Sequence, residues 1–491
     1  MNTLFGCYMR EHAEALEERF NSPQWREVVA SGLPEQLAQL RHTPPEGNSP
    51  AEVAFEYLCL HNERAVRKLI ANGERDEDVL LRRLSQWPES YAQSPCPITF
   101  LGLCLTYACN AQPKCVYCNQ RPTPEVLADG DWRRIIENAA ENPPKGGTFI
   151  YMTGGEPLLL GRRLYGKGGL IEFATRLGCA VNLNTNGLLI TPEVALRLVA
   201  SGLARLHLSL DSADPNVHDA LAGASGRHAA VLQALMDLQI ARELLGADHP
   251  VIHINCVLTR HNAFGFPRLL EKLLHMKRVR SPGARRPWRA DPHFRDLGVH
   301  LIPVGGAENA GRRLSRDEIV RFYLRTWLEA ASVWEQYQDE VGVPPDERLD
   351  FGNWAFFTSA YHRVRHRGSL EDYAEACEDG EYGRLALISR CHIVPTQGFV
   401  LPDGSQYWCG AHSVARPKPL GNVQTRSVSQ NIAANLSELE RLPGPHCRNC
   451  ATATLFLNQT IELSLRARIG LWMKEAEEVG ETLANDQMAF E

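Results

Sequence analysis

No apolar run in this chain approaches the about 18 residues that a membrane-crossing helix requires, so none is expected. No internal repeat or low-complexity tract stands out, which leaves ordinary globular domains. Neither sign of charge dominates. The 52 Lys and Arg against 58 Asp and Glu give a formal charge of −6, which argues against wholesale nucleic-acid binding. The opening MNTLFGCYMREHAEALEERF lacks the apolar stretch and small-residue cleavage site of a signal peptide. A reducing, cytoplasmic setting is therefore expected, with no membrane and no nucleic-acid partner. The first 95 residues also lack any convincing strand.

What the chain does have is length and cysteine. Its 491 residues bury a large core easily and are enough for about three domains. Fourteen cysteines are many for a reducing compartment. Seven are scattered (Cys7, Cys59, Cys96, Cys104, Cys179, Cys256 and Cys377) and read as small buried hydrophobes. The other seven fall into two groups whose spacing suits metal or cluster ligation.

Hydrophobic periodicity divides the chain. Residues 1–95 show three- and four-residue steps broken by segments such as HTPPEGNSP, and read as a helical domain. From about residue 97, short apolar strands alternate with helical patterns. The strands are ITFLGLCL, GTFIYM, AVNLNT, RLHLSL, VIHINCVL and GVHLIPV. Repeated β–α units imply a parallel sheet with helical crossovers. The expected α/β fold is a partial (β/α)6 TIM-type barrel over 96–310, with an open doubly wound sheet as the alternative. A helical bridge over 311–385 follows, containing the long helix 315–342. A small C-terminal cluster-binding domain over 386–491 comes last. It contains a hairpin turning at Pro402-Asp403-Gly404 and a terminal helix.

Three strands alternate polar with apolar residues. Asn182 and Asn184, His207 and Ser209, and His253 and Asn255 each share one face of their strand. A packed barrel interior is filled with branched aliphatics, so a polar one points to a wet or ligand-filled lumen. Satisfied buried hydrogen bonds with no ligand are the plainer account.

Cys109, Cys115 and Cys118 form a C-x5-C-x2-C loop directly after the first strand. Three thiolates so spaced can hold three corners of a [4Fe–4S] cluster and leave one iron open. Zinc with a distant fourth ligand is the competing reading. The second strand ends in Thr153-Gly154-Gly155-Glu156-Pro157, where two glycines permit close backbone approach and a carboxylate can accept from an ammonium group.

These two features together resemble the radical S-adenosylmethionine (SAM) superfamily. Asn184-Thr185-Asn186-Gly187 and Ser209-Leu210-Asp211-Ser212 support the likeness, which covers about 97–310. The loop is two residues longer than the usual family spacing. The resemblance implies that SAM's amino and carboxylate groups chelate the open iron. It also implies that an electron cleaves the S–C5′ bond, and that the 5′-deoxyadenosyl radical abstracts a substrate hydrogen. An electron donor such as a flavodoxin or ferredoxin is then expected. Gly154, Gly155 and Glu156 are expected around the SAM amino group, and Tyr117 near the adenine. Asn184 and Ser209 are expected at the ribose or carboxylate.

Cys391, Cys409, Cys447 and Cys450 form the second group, C-x12-G-x4-C followed by C-x2-C. Alone this equally describes a structural zinc ribbon. Beside the first loop it resembles the SPASM or Twitch auxiliary-cluster extensions of the same superfamily. That likeness implies a second [4Fe–4S] cluster, closed to substrate and suited to accepting an electron. A purely structural cluster is the alternative.

The substrate is the least legible part. His207, His253, His300 and Glu308 are weak candidates for a base, with Asp211 beside them. The arginine-rich segment 279–296 suits an anion or is a solvated loop. No winged-helix peptide-binding pattern appears in the helical start. The sequence therefore leans to oxidation or rearrangement of a small polar metabolite, such as a sugar or aminocyclitol. Modification of a ribosomally made peptide is the alternative, and a zinc module without redox chemistry is the reading from another class.

Overall fold

The computed structural model describes residues 4–278, 296–351, 366–450 and 453–488. All but the last residue of the arginine-rich segment 279–296 lies outside them. One sheet of nine strands organises the molecule, in the order β6-β5-β4-β3-β2-β1-β7-β8-β9. Strands β1 (Phe100–Thr106), β2 (Phe149–Gly154), β3 (Ala180–Thr185), β4 (Arg205–Ser209), β5 (Val251–Leu258) and β6 (Gly298–Pro303) run parallel. They form the expected partial barrel. It is not closed, because β6 ends the sheet on one side and β9 (Gly421–Asn422) on the other.

Alternation explains the two faces. Leu206 and Leu208 of β4, Ile252 and Ile254 of β5, and Val299 and Leu301 of β6 are buried under the outer helices. Their neighbours Arg205, His207, Ser209, His253 and His300 are only half-buried and face the lumen. The lumen is thus lined by polar groups, as the strand pattern implies.

The C-terminal hairpin is the main departure from expectation. Its strands β7 (Gln397–Val400) and β8 (Ser405–Tyr407) are antiparallel, and Gly404 takes a φ of +82° in the turn. Yet β7 also pairs in parallel with β1, from Phe100↔Gln397 to Leu103↔Val400. The second cysteine group is therefore attached to the barrel sheet itself. Gly102 makes this pairing possible. A Cβ there would lie 2.3 Å from the Phe399 ring that crosses it.

The Pro/Gly-rich break after the first three helices has a role that its composition did not reveal. It packs against the N-terminal ends of β1 and β2. Asn48 Nδ2 donates to Thr99 O and Gly147 O at 2.9 and 2.8 Å, and Gly47 N donates to Gly146 O at 3.0 Å. The helices before it pack on the barrel's outer helices. Arg19 grips buried Asp237 with two hydrogen bonds of 2.7 and 2.8 Å, and Trp25 Nε1 donates to the same carboxylate at 2.7 Å. The helices Pro50–Ala71 and Glu77–Leu84 instead pack on the terminal helix Ala453–Met488, where Arg466 binds Glu77 and Asp78. The long bridge helix contains a π-turn at Phe322–Thr326. No described helix is long and apolar enough to cross a membrane.

Candidate active site and second cysteine site

The first cysteine loop leaves the C-terminal end of β1, where parallel sheets gather their ligands. Cys109, Cys115 and Cys118 line one cavity of about 290 Å³. Tyr117, Gly154, Gly155, Asn184 and Ser209 line it too. The first cysteine loop and the ends of β2, β3 and β4 thus meet at one cavity.

The glycine turn is fitted to the cysteine loop. Gly155 N donates to Thr106 O at 2.7 Å, and Glu156 N to Ala108 O at 2.8 Å. A Cβ on Gly155 would lie 2.0 Å from Ala108 O. Gly154, with φ +145°, would place one 2.2 Å from Thr106 O. Both glycines therefore serve the loop's own packing as well as any ligand.

Glu156 does not line the cavity. It is fully buried, and its carboxylate accepts from Leu158 N, Thr185 Oγ1 and Asn186 N at 3.0, 2.8 and 2.8 Å. Burial raises its pKa against those three donors. It ties the β2 turn to the β3 turn. Asn186, thereby placed, donates to Asn110 Oδ1 at 2.8 Å and toward Cys109 Sγ at 3.8 Å. Ala111 N also donates to Cys109 Sγ at 3.4 Å.

Tyr117 is fixed from behind. Its hydroxyl donates to Asp211 Oδ2 at 2.7 Å, and Val257 N donates to Asp211 Oδ1 at 2.8 Å. Asp211 is 2% exposed, and burial pushes its pKa up to about 6. It is a strut rather than an open base. His218 accepts from Asp211 N at 3.1 Å, and burial lowers the His218 pKa to about 4.

The two additional loop residues have their own support. Arg227, buried, donates to Ala222 O and to Pro113 O, the latter at 2.8 Å. Val116 N donates to Leu221 O at 3.0 Å. Sequence reasoning missed Arg227 because the helix that carries it is roughly 110 residues downstream of the loop it holds.

The histidines form a layer beside the cavity rather than part of its lining. Asn255 Nδ2 donates to Asn184 Oδ1 at 2.8 Å, while its Oδ1 meets His207 Nδ1 at 3.3 Å and His300 Nδ1 at 3.1 Å. The His207 and His253 rings are 5.2 Å apart and edge-on. Burial lowers the His207 pKa to about 4 and holds that of His253 well below the usual imidazole range. Both are neutral at neutral pH, and His207 is the one of the two that meets Asn255. Glu308 is exposed in a 3-10 turn and does not line the cavity. Its neighbour Asn309 is the residue that reaches the loop, donating to Tyr117 O at 3.0 Å.

The second group also converges. Cys391, Cys409, Cys447 and Cys450 line one small, mostly apolar cavity with Ile388, Val394 and Leu455. Burial pushes the Cys409 thiol up to about 12 and raises Cys391 and Cys447. Thiols held this way ionise when a metal group compensates the charge. Donors are already in place. Asn458 Nδ2 donates to Cys391 Sγ at 3.3 Å, and Ala411 and His412 backbone N–H groups face Cys409. Asn458 also accepts from Ile393 N at 3.0 Å, so one buried amide fixes both the ligand and its backbone. Among the described residues, all cysteines are free, and no three His, Cys, Asp or Glu converge on a single metal ion.

Residues 103–246 match the family described as the Radical SAM superfamily. The chain is 34% identical over 161 residues to the mycofactocin maturase MftC of Mycobacterium ulcerans, covering 32% of this chain and 39% of that one. It is 32% identical over 166 residues to the AdoMet-dependent heme synthase of Nitratidesulfovibrio vulgaris, covering 33% and 41%. The chain thus spans about two fifths of the length of these curated relatives. Streptococcus suis SuiB bound to precursor peptide SuiA shares 14% identity at a TM-score of 0.47, over 79% of this chain and 76% of that one.

Proposed function

We propose that this chain, which carries a radical SAM domain over residues 103–246, is a peptide-modifying enzyme that cleaves SAM reductively. In this reading Cys109, Cys115 and Cys118 hold the SAM-binding [4Fe–4S] cluster. Cys391, Cys409, Cys447 and Cys450 hold a second cluster that accepts an electron. One observation carries it: the three loop cysteines, the glycine turn, Asn184 and Ser209 all line a single cavity.

The residues fit such a group. Cys109 already receives an N–H from Ala111, and the glycine turn brings bare backbone against the loop. When bound, the cluster and SAM supply a 5′-deoxyadenosyl radical that takes a hydrogen atom from substrate. The protein's part is to bind, align and shield. Asp211 fixes Tyr117, the residue proposed to lie against the adenine. Glu156 acts through the loops it joins rather than by touching SAM. Asn184 and Ser209 present polar groups to the ribose or carboxylate. His207 and His300 orient Asn255 by hydrogen bonding, and burial keeps His207 and His253 from taking a proton at neutral pH. A flavodoxin or ferredoxin is the proposed donor.

A peptide replaces the sugar or aminocyclitol as the preferred substrate. Relatives named as maturases support a precursor substrate. Among the described residues, no strand pairs with the outer edge of β6. The polar histidine layer favours a second reading, a small metabolite reaching into the lumen. Anaerobic incubation with SAM, reductant and either candidate peptides or sugars separates the two. Peptide-dependent 5′-deoxyadenosine is expected. Formation with sugars alone would reverse the substrate choice, and a colourless zinc protein would remove the whole reading.

A further inference from the structure

Arg416 stands between the two cysteine sites. It closes the short helix Gly410–Ala415, which begins immediately after Cys409. Its φ is +51°, a left-handed conformation that is uncommon for a residue with a side chain. Its N–H donates to His412 O at 2.8 Å, so the strained residue is locked onto the helix. Its guanidinium leaves the second site entirely. Nη2 donates to Tyr107 Oη at 3.1 Å and also to Arg121 O. Tyr107 lies two residues before Cys109, and Arg121 three residues after Cys118. One side chain thus joins both flanks of the first loop. It does so from the far end of a helix whose near end carries a second-site ligand.

We propose that Arg416 is a positioning residue through which filling of the second site orders the first. Four cysteines around one group fix the start of the helix at Cys409. The helix then aims the guanidinium, and the guanidinium holds the two flanks that present Cys109, Cys115 and Cys118. The strain at Arg416 fits this role, because glycine would suit the backbone better but offers no clamp. The loop has another anchor further on, where Val126 and Leu127 N–H groups donate to Pro402 O at 3.0 and 3.1 Å. That anchor lies outside the clamped stretch and serves as an internal reference. The proposal rests on the two-site reading above, but requires only that the second site bind its metal group.

The test uses full-length protein carrying Cys115→Ala, so that only the second site can be loaded. Hydrogen exchange of residues 107–121 is measured before and after anaerobic loading with iron and sulfide. It is then repeated with Arg416→Ala, Arg416→Gly and Arg416→Lys added. Loading should slow exchange of 107–121 about fivefold or more with Arg416 present, and not with Ala or Gly. Lysine, which has no fork to span two acceptors, should give a partial effect. The glycine variant relaxes the backbone, so lost coupling there cannot be blamed on strain or misfolding. Equal protection in all four chains, or none on loading, would overturn the proposal. Iron content of the loaded protein reports separately whether the second site is an iron–sulfur site. A site that fills with zinc instead would defeat the functional reading while leaving the coupling measurable.

Discussion

The two cysteine sites differ in almost every physical respect. The first has three cysteines on one loop, lining a wide cavity of mixed polar and apolar groups, and Cys118 is exposed. The second draws four cysteines from 60 residues of chain into an apolar cavity, where Cys409 and Cys450 are buried. An open coordination position is useful only where a ligand can arrive, and a closed one suits electron transfer or cohesion. The surrounding structure follows the same division. The first loop is held by remote struts (Asp211 through Tyr117, Arg227 through Pro113), whereas the second site carries its own donors on Asn458 and the helix after Cys409. Reactive geometry is imposed from outside in one case and built locally in the other.

The sharpest way to break this contrast is to empty each site in turn. Cys115→Ala should abolish SAM cleavage and lower iron from about eight to about four per chain. Cys409→Ala with Cys447→Ala should slow 5′-deoxyadenosine formation without abolishing it, because the Arg416 clamp on the first loop loosens, and should stop oxidised product and loosen the C-terminal domain. Iron analysis and product chromatography measure both. Normal product from the second variant would reduce that site to a staple.

Gly155→Val tests whether the glycine turn belongs to the ligand or to the loop. Sequence alone predicts loss of SAM binding with both clusters kept. The 2.0 Å approach to Ala108 O predicts more: the cysteine loop must move, and the first site's iron should be lost as well, about four atoms per chain. Retention of all iron with loss of SAM affinity would restore the simpler account.

Asp211→Asn gives the smallest effect. Because burial raises the folded pKa to about 6 from 3.8, the proton is held more tightly in the folded state. The associated stability is complete below about pH 4, is lost as pH rises through about 6, and is flat above, amounting to about 2–3 kcal/mol. Urea unfolding of the metal-free protein at pH 4.5 and 7 should show this loss in the wild type and not in the variant. Identical pH slopes in the two would remove Asp211 from the account of how Tyr117 is held.

Much of this was legible in advance, for identifiable reasons. The β3 and β5 segments stood out because Asn182, Asn184, His253 and Asn255 alternate with aliphatics, a local pattern that survives folding. Both cysteine groups stood out because ligand spacing is local as well. What escaped was whatever depends on distant partners. Glu156 looked like a ligand because it follows two glycines, but its three donors come from its own turn and the β3 turn. Arg416 and Arg227 carry no local signal, since an arginine that caps a carbonyl is written no differently from one in solvent. Glu308 misled by adjacency, with the useful side chain one residue later at Asn309.

The pairing of β1 with β7 has a consequence for how the chain is made. During synthesis β1 emerges about 300 residues before the strand that covers its outer edge. Until then Leu101 and Leu103 lie on a strand with an unsatisfied row of backbone donors and acceptors, the kind of template on which other chains pair. A chain interrupted anywhere before residue 397 carries that bare edge permanently. Fragments ending in the helical bridge should therefore aggregate even though all six barrel strands are present. For the nascent protein the last fifth of the sequence thus acts as a tethered chaperone for the first strand, and the segment that carries the second cysteine group also covers its edge.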